Sequence, residues 1–243
     1  MEKSYSLLNL LMPEKHICFR CGVYDKAIGK THLCRHCESL LEKNKGLICD
    51  VCGKPLENTR QIKCMDCRGD VKFYKRAFAP FIHTGYVRDL IMQYKFAGKS
   101  YYYKMFGEYM LTYMREKNIR DDCQIEGIVS VPMTLKAELS RGYNQADLLA
   151  KYISKAADIY YNSNSLIKMG DNAIQSTLSG EDRRENVKKI FKTAEKGYIL
   201  NKHLLLVDDI LTTGFTVDEC SRVLLEAGAL SVTVLTISTG FNR

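Results

Sequence analysis

Two groups of residues in this sequence have the types and spacing to do chemistry. The first is Leu204-Leu205-Leu206-Val207-Asp208-Asp209-Ile210-Leu211-Thr212-Thr213-Gly214-Phe215-Thr216. An apolar run of strand type and length suits a strand buried on both faces of a parallel sheet. Two adjacent carboxylates are expected to end it, and Thr-Thr-Gly-x-Thr follows. Gly214 lets a backbone approach closely, and Thr212, Thr213 and Thr216 add hydroxyl donors, so the loop suits a phosphate. Asp208 and Asp209 would repel that phosphate unless they face sugar hydroxyls or a cation. A phosphorylated sugar, with Mg²⁺, satisfies both halves. The second group is cysteine. Eight of the ten form four C-x-x-C pairs, Cys18/Cys21, Cys34/Cys37, Cys49/Cys52 and Cys64/Cys67, with 11 or 12 residues between pairs. Two thiolates three apart reach one tetrahedral ion, so this is zinc spacing, and one or two structural Zn²⁺ are expected. Sequential sites, Cys18/21/34/37 and Cys49/52/64/67, and a cross-braced pairing both fit. His16, His32 and His36 lie nearby, but eight thiolates are already a sufficient ligand supply.

These groups need elements to position them. From Val217 the spacing of Val217, Cys220, Val223, Leu224 and Ala227 predicts a helix. The acidic pair therefore sits between a strand and a helix N-terminus, at the carboxyl edge where open α/β sheets bind ligands. Ala77 to His83, Ile125 to Val131 and Ser231 to Ile237 read as further strands, and Gly85 to Phe96 and Tyr102 to Lys117 as helices. Arg141-Gly142-Tyr143-Asn144-Gln145-Ala146 precedes a helix through Ala150, Ile153 and Ala157. Arg141 is either a bidentate phosphate clamp or a surface arginine. Strands alternating with helices after residue 77 predict a largely parallel sheet with right-handed crossovers. Cys18 to Cys67 has too few large hydrophobes to fold without metal, so folding and metal binding are coupled there. Polar residues 69–76 place a boundary between a zinc-binding arm, 1–70, and an α/β unit, 71–243. Met1 to Met12 reads as a packing arm. The stretch 172–192 alternates charges, as a solvated helix face or a basic lid would.

Length and composition set the bounds. The 243 residues, 46% hydrophobic and 26% charged, suit one substantial domain plus a smaller one. A net charge of +8 favours anionic ligands or a solvated basic surface. No apolar run approaches the roughly 18 residues of a transmembrane helix, so no membrane insertion is expected. Leu7 to Met12 is too short for a signal peptide, and a cytoplasmic location is expected. Gly98-Lys99-Ser100 is no Walker loop, because Gln93 stands where its first glycine belongs. Cys123 and Cys220 lack a C-x-x-C partner and read as structural.

The stretch Val207 to Thr216 resembles the phosphoribosyl-pyrophosphate (PRPP) motif of type I phosphoribosyltransferases. With the four cysteine pairs, Tyr94-Lys95-Phe96, Val129-Ser130-Val131-Pro132, Arg141-Gly142-Tyr143-Asn144-Gln145 and the Gln175…Arg183-Arg184…Asn186 stretch, nearly the whole chain resembles the ComF family of competence-associated proteins, GntX-like members included. The resemblance implies a parallel sheet flanked by helices with a small hood, next to an N-terminal zinc-ribbon-like region. It implies that Asp208 and Asp209, the catalytic candidates, take the ribose 2′- and 3′-hydroxyls. Ile210, Leu211, Thr212, Thr213, Gly214, Phe215 and Thr216 would carry the PRPP loop and hold the 5′-phosphate. Backbone around Val131, Pro132 and Met133 would line the pyrophosphate, which Arg141 could contact. Arg183 to Lys189 would match a flexible loop that closes over PRPP. The chemistry implied is displacement at ribose C1 by a nitrogen nucleophile, with Mg²⁺ and basic groups neutralising pyrophosphate. No glutaminase nucleophile and no acceptor-recognising residue are visible, and Phe215 is bulkier than usual for its place. The family is associated with DNA uptake, which brings single-stranded DNA and other competence proteins as partners.

The alternative is a non-catalytic, zinc-ribbon module for single-stranded nucleic acid, drawn from the knuckles, the charge and the basic-aromatic run Lys72-Phe73-Tyr74-Lys75-Arg76. A receiver-like domain, whose acidic pair also binds Mg²⁺, is disfavoured because here the pair precedes the last strand.

Overall fold

A computed structural model of the chain describes residues 16–56, 61–170 and 190–240. Its centre is β6 (His203–Leu211) beside β7 (Ser231–Thr239). On the other side of β6 lies β3 (Gly127–Ser130), and β1 (Arg76–Phe78) and β2 (Phe81–Ile82) both pair with the far edge of β7. Every pairing in this sheet is parallel. Tyr161 adds a parallel bridge to Ile128 beyond β3. A separate two-stranded antiparallel sheet joins β4 (Leu166–Lys168) to β5 (Phe191–Thr193).

Parallel strands need crossovers, and helices supply them. In the ribbons lie two short helices, α1 (Arg35–Ser39) and α2 (Met65–Arg68). Between β2 and β3 come α3 (Gly85–Phe96), α4 (Tyr102–Glu116) and the short α5 (Ile119–Asp122). Then follow α6 (Leu135–Arg141) and α7 (Gln145–Ala157), with α8 (Lys196–Ile199) before β6 and α9 (Phe215–Glu226) between β6 and β7. Strand alternation splits the core into two layers. Leu205 and Val207 face α3, α4 and α7, while Leu204 and Leu206 face α9, and all four are fully buried.

The cysteine-rich region is not an appendage. Cys18, Cys34 and Cys37 belong to the first core layer, and Cys49, Cys52, Cys64 and Cys67 to the second. The two ribbons thus cover opposite faces of one sheet. The link between them is stitched in as well. Asn44 gives its side-chain amide to Gly53 O at 2.9 Å and Ala79 O at 3.0 Å, and its backbone N–H to Pro80 O at 2.7 Å. Glu42 caps α3 by accepting from Tyr86 N and Val87 N, both at 3.2 Å. A side chain at Gly53 would bring its Cβ to 2.5 Å from Ala77 O, so only glycine lets the second ribbon seat against β1.

Two strand expectations need correction. Residues 77–83 are not one strand: Pro80 has no N–H for the ladder, and Ala79 and Pro80 give their carbonyls to Asn44 instead. The two carboxylates do not end β6 either. Pairing with β3 ends at Val207, opposite Ser130, but pairing with β7 continues through Asp208, Ile210 and Leu211. The acidic pair is held inside the strand and is bare only on its β3 side.

Candidate functional site

The carboxyl edge of the sheet gathers the chemistry. Asp208 and Asp209 are half-buried there, and Asp208 accepts the backbone N–H of Asp209 at 2.8 Å. Burial, and then the neighbouring Asp209 charge, push the Asp208 carboxyl up to about 7, against the opposing pull of Lys95. Beyond Leu211 the chain turns over exposed Thr212 and Thr213 to Gly214, which caps α9 at φ +79°. Only glycine takes that angle readily, and a Cβ there would stand 3.3 Å from the buried Tyr74 hydroxyl. The amides that open α9 after this turn are those of Phe215 and Thr216. Phe215 is half-buried at the helix start, beside the turn rather than in it.

A side chain that the sequence reading gave no role completes the edge. Lys95, in the last turn of α3, places its ammonium 2.8 Å from Asp209 Oδ1, with side-chain exposures of 19% and 14%. It was visible only as the middle of Tyr94-Lys95-Phe96, and nothing local marks it. Around it, Tyr94 Oη donates to Gln145 O at 2.9 Å and Tyr143 donates to Tyr94 O, which ties the end of α3 to the loop before α7. His83 stands close by, its Nδ1 3.0 Å from Ser238 Oγ. Burial holds its pKa below the ordinary histidine value, and Lys95 and Arg88 push the same way.

After β3, Val131 donates its N–H to Val207 O at 2.9 Å and receives the Asn144 side-chain amide on its carbonyl at 3.2 Å. Pro132, Met133 and Asn144 line a cavity of about 650 Å³ that reaches Lys168 of β4. Arg141 ends α6, bonds Gln145 Oε1 at 2.6 Å and lies over the Phe96 ring at 5.0 Å. It is already engaged from two sides. Arg183 and the whole 171–189 stretch lie outside the described residues.

On the other side of the Thr212–Gly214 turn, a cavity of about 350 Å³ separates the turn from the second ribbon. Lys54 and Lys72 line it, but each is paired, to Asp66 at 2.6 Å and to Asp70 at 2.7 Å. The run Lys72 to Arg76 is only in part the exposed surface that its composition promised. Tyr74 is buried under the turn, Phe73 N donates to Asp218 Oδ1 at 2.7 Å, and Arg76 pairs with Asp50 at 3.1 Å. Part of the run docks the ribbon, while the side chains of Phe73 and Lys75 stay exposed.

The thiolates pair sequentially. Cys18, Cys21, Cys34 and Cys37 bring their sulfurs within 4.8 Å of one another, and so do Cys49, Cys52, Cys64 and Cys67. Sulfurs of a tetrahedral zinc site at bond lengths near 2.3 Å stand about 3.8 Å apart. Cys21 to Cys34 measures 3.8 Å and Cys52 to Cys64 measures 3.5 Å. The donor sets fit two structural zinc ions, no histidine is needed, and none of the ten cysteines is disulfide-bonded. Cys123 and Cys220 are buried, in keeping with structural roles. Mg²⁺ fits less well. The oxygen of Asp209 that could meet a cation already meets the Lys95 ammonium, so no step is derived through that metal.

The zinc-bearing region has a counterpart among known families. The double zinc ribbon domain family matches residues 7–68. DNA utilization protein YhgH of Escherichia coli (strain K12) is 28% identical over 219 residues, 90% of this chain and 94% of that protein. Competence protein F of Haemophilus influenzae is 27% identical over 217 residues, 83% of this chain and 94% of its own. Competence protein ComFC of Bacillus subtilis (strain 168) is 27% identical over 242 residues, 96% of this chain and 88% of its own. The resemblance to the ComF family stands. Among solved structures, the glutamine PRPP amidotransferase from B. subtilis complexed with ADP and GMP aligns with a TM-score of 0.33 and 23% identity. It covers 53% of this chain, which spans only 24% of that one. Among the described residues, no helix is long and apolar enough to cross a membrane.

Proposed function

We propose that this ComF-type chain binds a phosphorylated ribose, PRPP or a close relative, at the carboxyl edge of its sheet, and takes part in handling single-stranded DNA. In this reading residues 1–70 are the zinc-bearing region and 71–243 the phosphoribosyl-binding unit. The observation that carries it is the placement of Asp208 and Asp209 inside β6, bare on the β3 side, one turn before a positive-φ glycine that opens α9. Carboxylates suit ribose hydroxyls, and the amides of a helix start suit the 5′-phosphate. Lys95 keeps the acidic pair from repelling an anion. Pro132, Met133, Asn144, Lys151 and Lys168 line the space left for a diphosphate, with Glu138, Asp147 and Glu195 on the same walls. The relatives' names, DNA utilization protein and competence protein, support the second half of the reading.

Calorimetry with PRPP, with and without Mg²⁺, tests the first half. Wild type should bind and Asp208→Asn/Asp209→Asn should not, and a wild type that binds under neither condition would sink the reading. Displacement at C1 would break the bond to pyrophosphate and form one to a nitrogen nucleophile. Pyrophosphate release against purine bases, amines and nucleotides reports whether that step occurs.

A further inference from the structure

We propose that single-stranded DNA lies in the groove between the first ribbon and the α4–α7 pair, a site separate from the acidic pair. The proposal rests on the reading that the chain handles single strands, and adds where they bind. The groove holds about 840 Å³. Its charged walls are Lys30 from the ribbon, Lys104 from α4, and Lys151 and Lys155 from α7, with Tyr103 and Tyr152 between them. No carboxylate is among the described residues that line it. Glu108 and Asp147 stand behind it: Glu108 accepts the Tyr152 hydroxyl at 2.9 Å, and Asp147 holds Lys151 at 2.8 Å. Lys30 and Lys155 are exposed and carry no ion pair among the described residues.

The pattern on α7 makes this more than a scatter of lysines. Leu148, Lys151, Tyr152 and Lys155 stand at i, i+3, i+4 and i+7, so one helix face turns apolar, aromatic and cationic groups into the groove together. The buried face of the same helix is Ala146, Leu149, Ala150 and Ile153, so this neighbouring face is its open one, with Lys151 and Lys155 exposed and Leu148 and Tyr152 half-buried. Tyr103 and Tyr152 meet edge to face at 6.0 Å, and both are half-buried in the groove wall. Cations that follow a phosphodiester backbone, with rings for unpaired bases, are what single-strand binding requires. A duplex offers phosphates but no free base faces, and so uses half of the groove. Lys151 also lines the 650 Å³ cavity beside Pro132, Asn144 and Lys168. A strand in the groove therefore runs to the edge where the phosphoribosyl ligand is placed.

The test is fluorescence anisotropy of full-length, zinc-loaded protein with labelled oligothymidylate over a range of salt. Lys30→Glu/Lys155→Glu is compared with Lys45→Glu/Lys196→Glu, which makes the same change in net charge on exposed lysines outside the groove. The groove pair should lose at least tenfold in affinity, and its log–log salt slope should flatten by about 1.4, at ~0.7 per phosphate contact. The control pair should change less than threefold. Equal losses in both pairs would overturn the groove, as would duplex DNA binding as tightly as the single strand, or single-stranded RNA binding more tightly. Binding that rises when residues 1–15 are deleted would assign the groove to that arm instead. Failure of wild type to bind any strand would overturn the DNA-handling reading itself, while PRPP titrations of the groove pair, expected to match wild type, keep the phosphoribosyl reading separate.

Discussion

Replacing Asp208 with asparagine should stabilise the ligand-free protein at pH 8 while abolishing phosphoribosyl binding. The Asp208 carboxyl is raised from 3.8 to about 7 by burial and by Asp209. A group raised in the folded state holds a proton that the unfolded chain has released, so it favours folding at low pH. That contribution is complete below about 4 and is lost as pH rises through about 7. A rise of about three pH units corresponds to a ceiling of about 4 kcal/mol, of which roughly 2–3 kcal/mol develops between pH 5 and pH 8. Because the charges of Asp209 and Lys95 act on Asp208 in opposite directions, about 1–2 kcal/mol is the expected difference between variant and wild type over that interval. Asparagine is nearly isosteric, and its Oδ1 can still accept the Asp209 N–H, so little else changes. Urea denaturation at both pH values, followed by far-UV circular dichroism because the chain has no tryptophan, measures it. Titrations of groups that do not interact with Asp208 cancel in the comparison. A stability difference independent of pH, or one favouring wild type more at pH 8, would refute the reasoning. The pair would then owe its placement to something other than tolerated strain at a binding site.

Lys95→Met should cost about 2–4 kcal/mol, since it leaves Asp209 half-buried without its counterion, and chemical denaturation at pH 8 should show it. The same variant should move the Asp208 titration upward, which carboxyl NMR shifts would follow. Metal analysis should give two zinc ions per chain, falling to one in Cys49→Ser; a strong chelator should then remove cooperative unfolding, because each ribbon covers one core layer. Gly214→Ala should cost roughly 1–2 kcal/mol from its positive φ and its approach to Tyr74, and should weaken PRPP binding with little effect on oligothymidylate affinity, measured by calorimetry and anisotropy.

Much of the fold was legible because its signals are short-range. The β-branched and aliphatic runs at 127–130, 203–211 and 231–239, and the helical spacing after Gly85, Tyr102, Gln145 and Phe215, report burial patterns that a strand or helix imposes on its own residues. What misled was equally local. A pair of aspartates reads as a strand end, yet pairing with β7 holds both in register. Lys72 to Arg76 reads as an exposed basic-aromatic run, yet Tyr74 is needed beneath Gly214 and Phe73 N beneath Asp218. Propensity says nothing of which backbone a neighbouring element will satisfy.

The residues that can do chemistry, the thiolate pairs and the strand–turn–helix around Asp208 were determined by the sequence, since covalent spacing alone brings their atoms within reach. Tertiary structure decided four things that spacing could not. It chose sequential over cross-braced zinc sites, and it set the ribbons on opposite faces of one sheet. It brought Lys95 of α3 against Asp209 of β6. It assembled lysines and tyrosines from the first ribbon, α4 and α7 into one groove. Each depends on how distant segments pack, and that is fixed by two buried layers closing together rather than by any window of the chain.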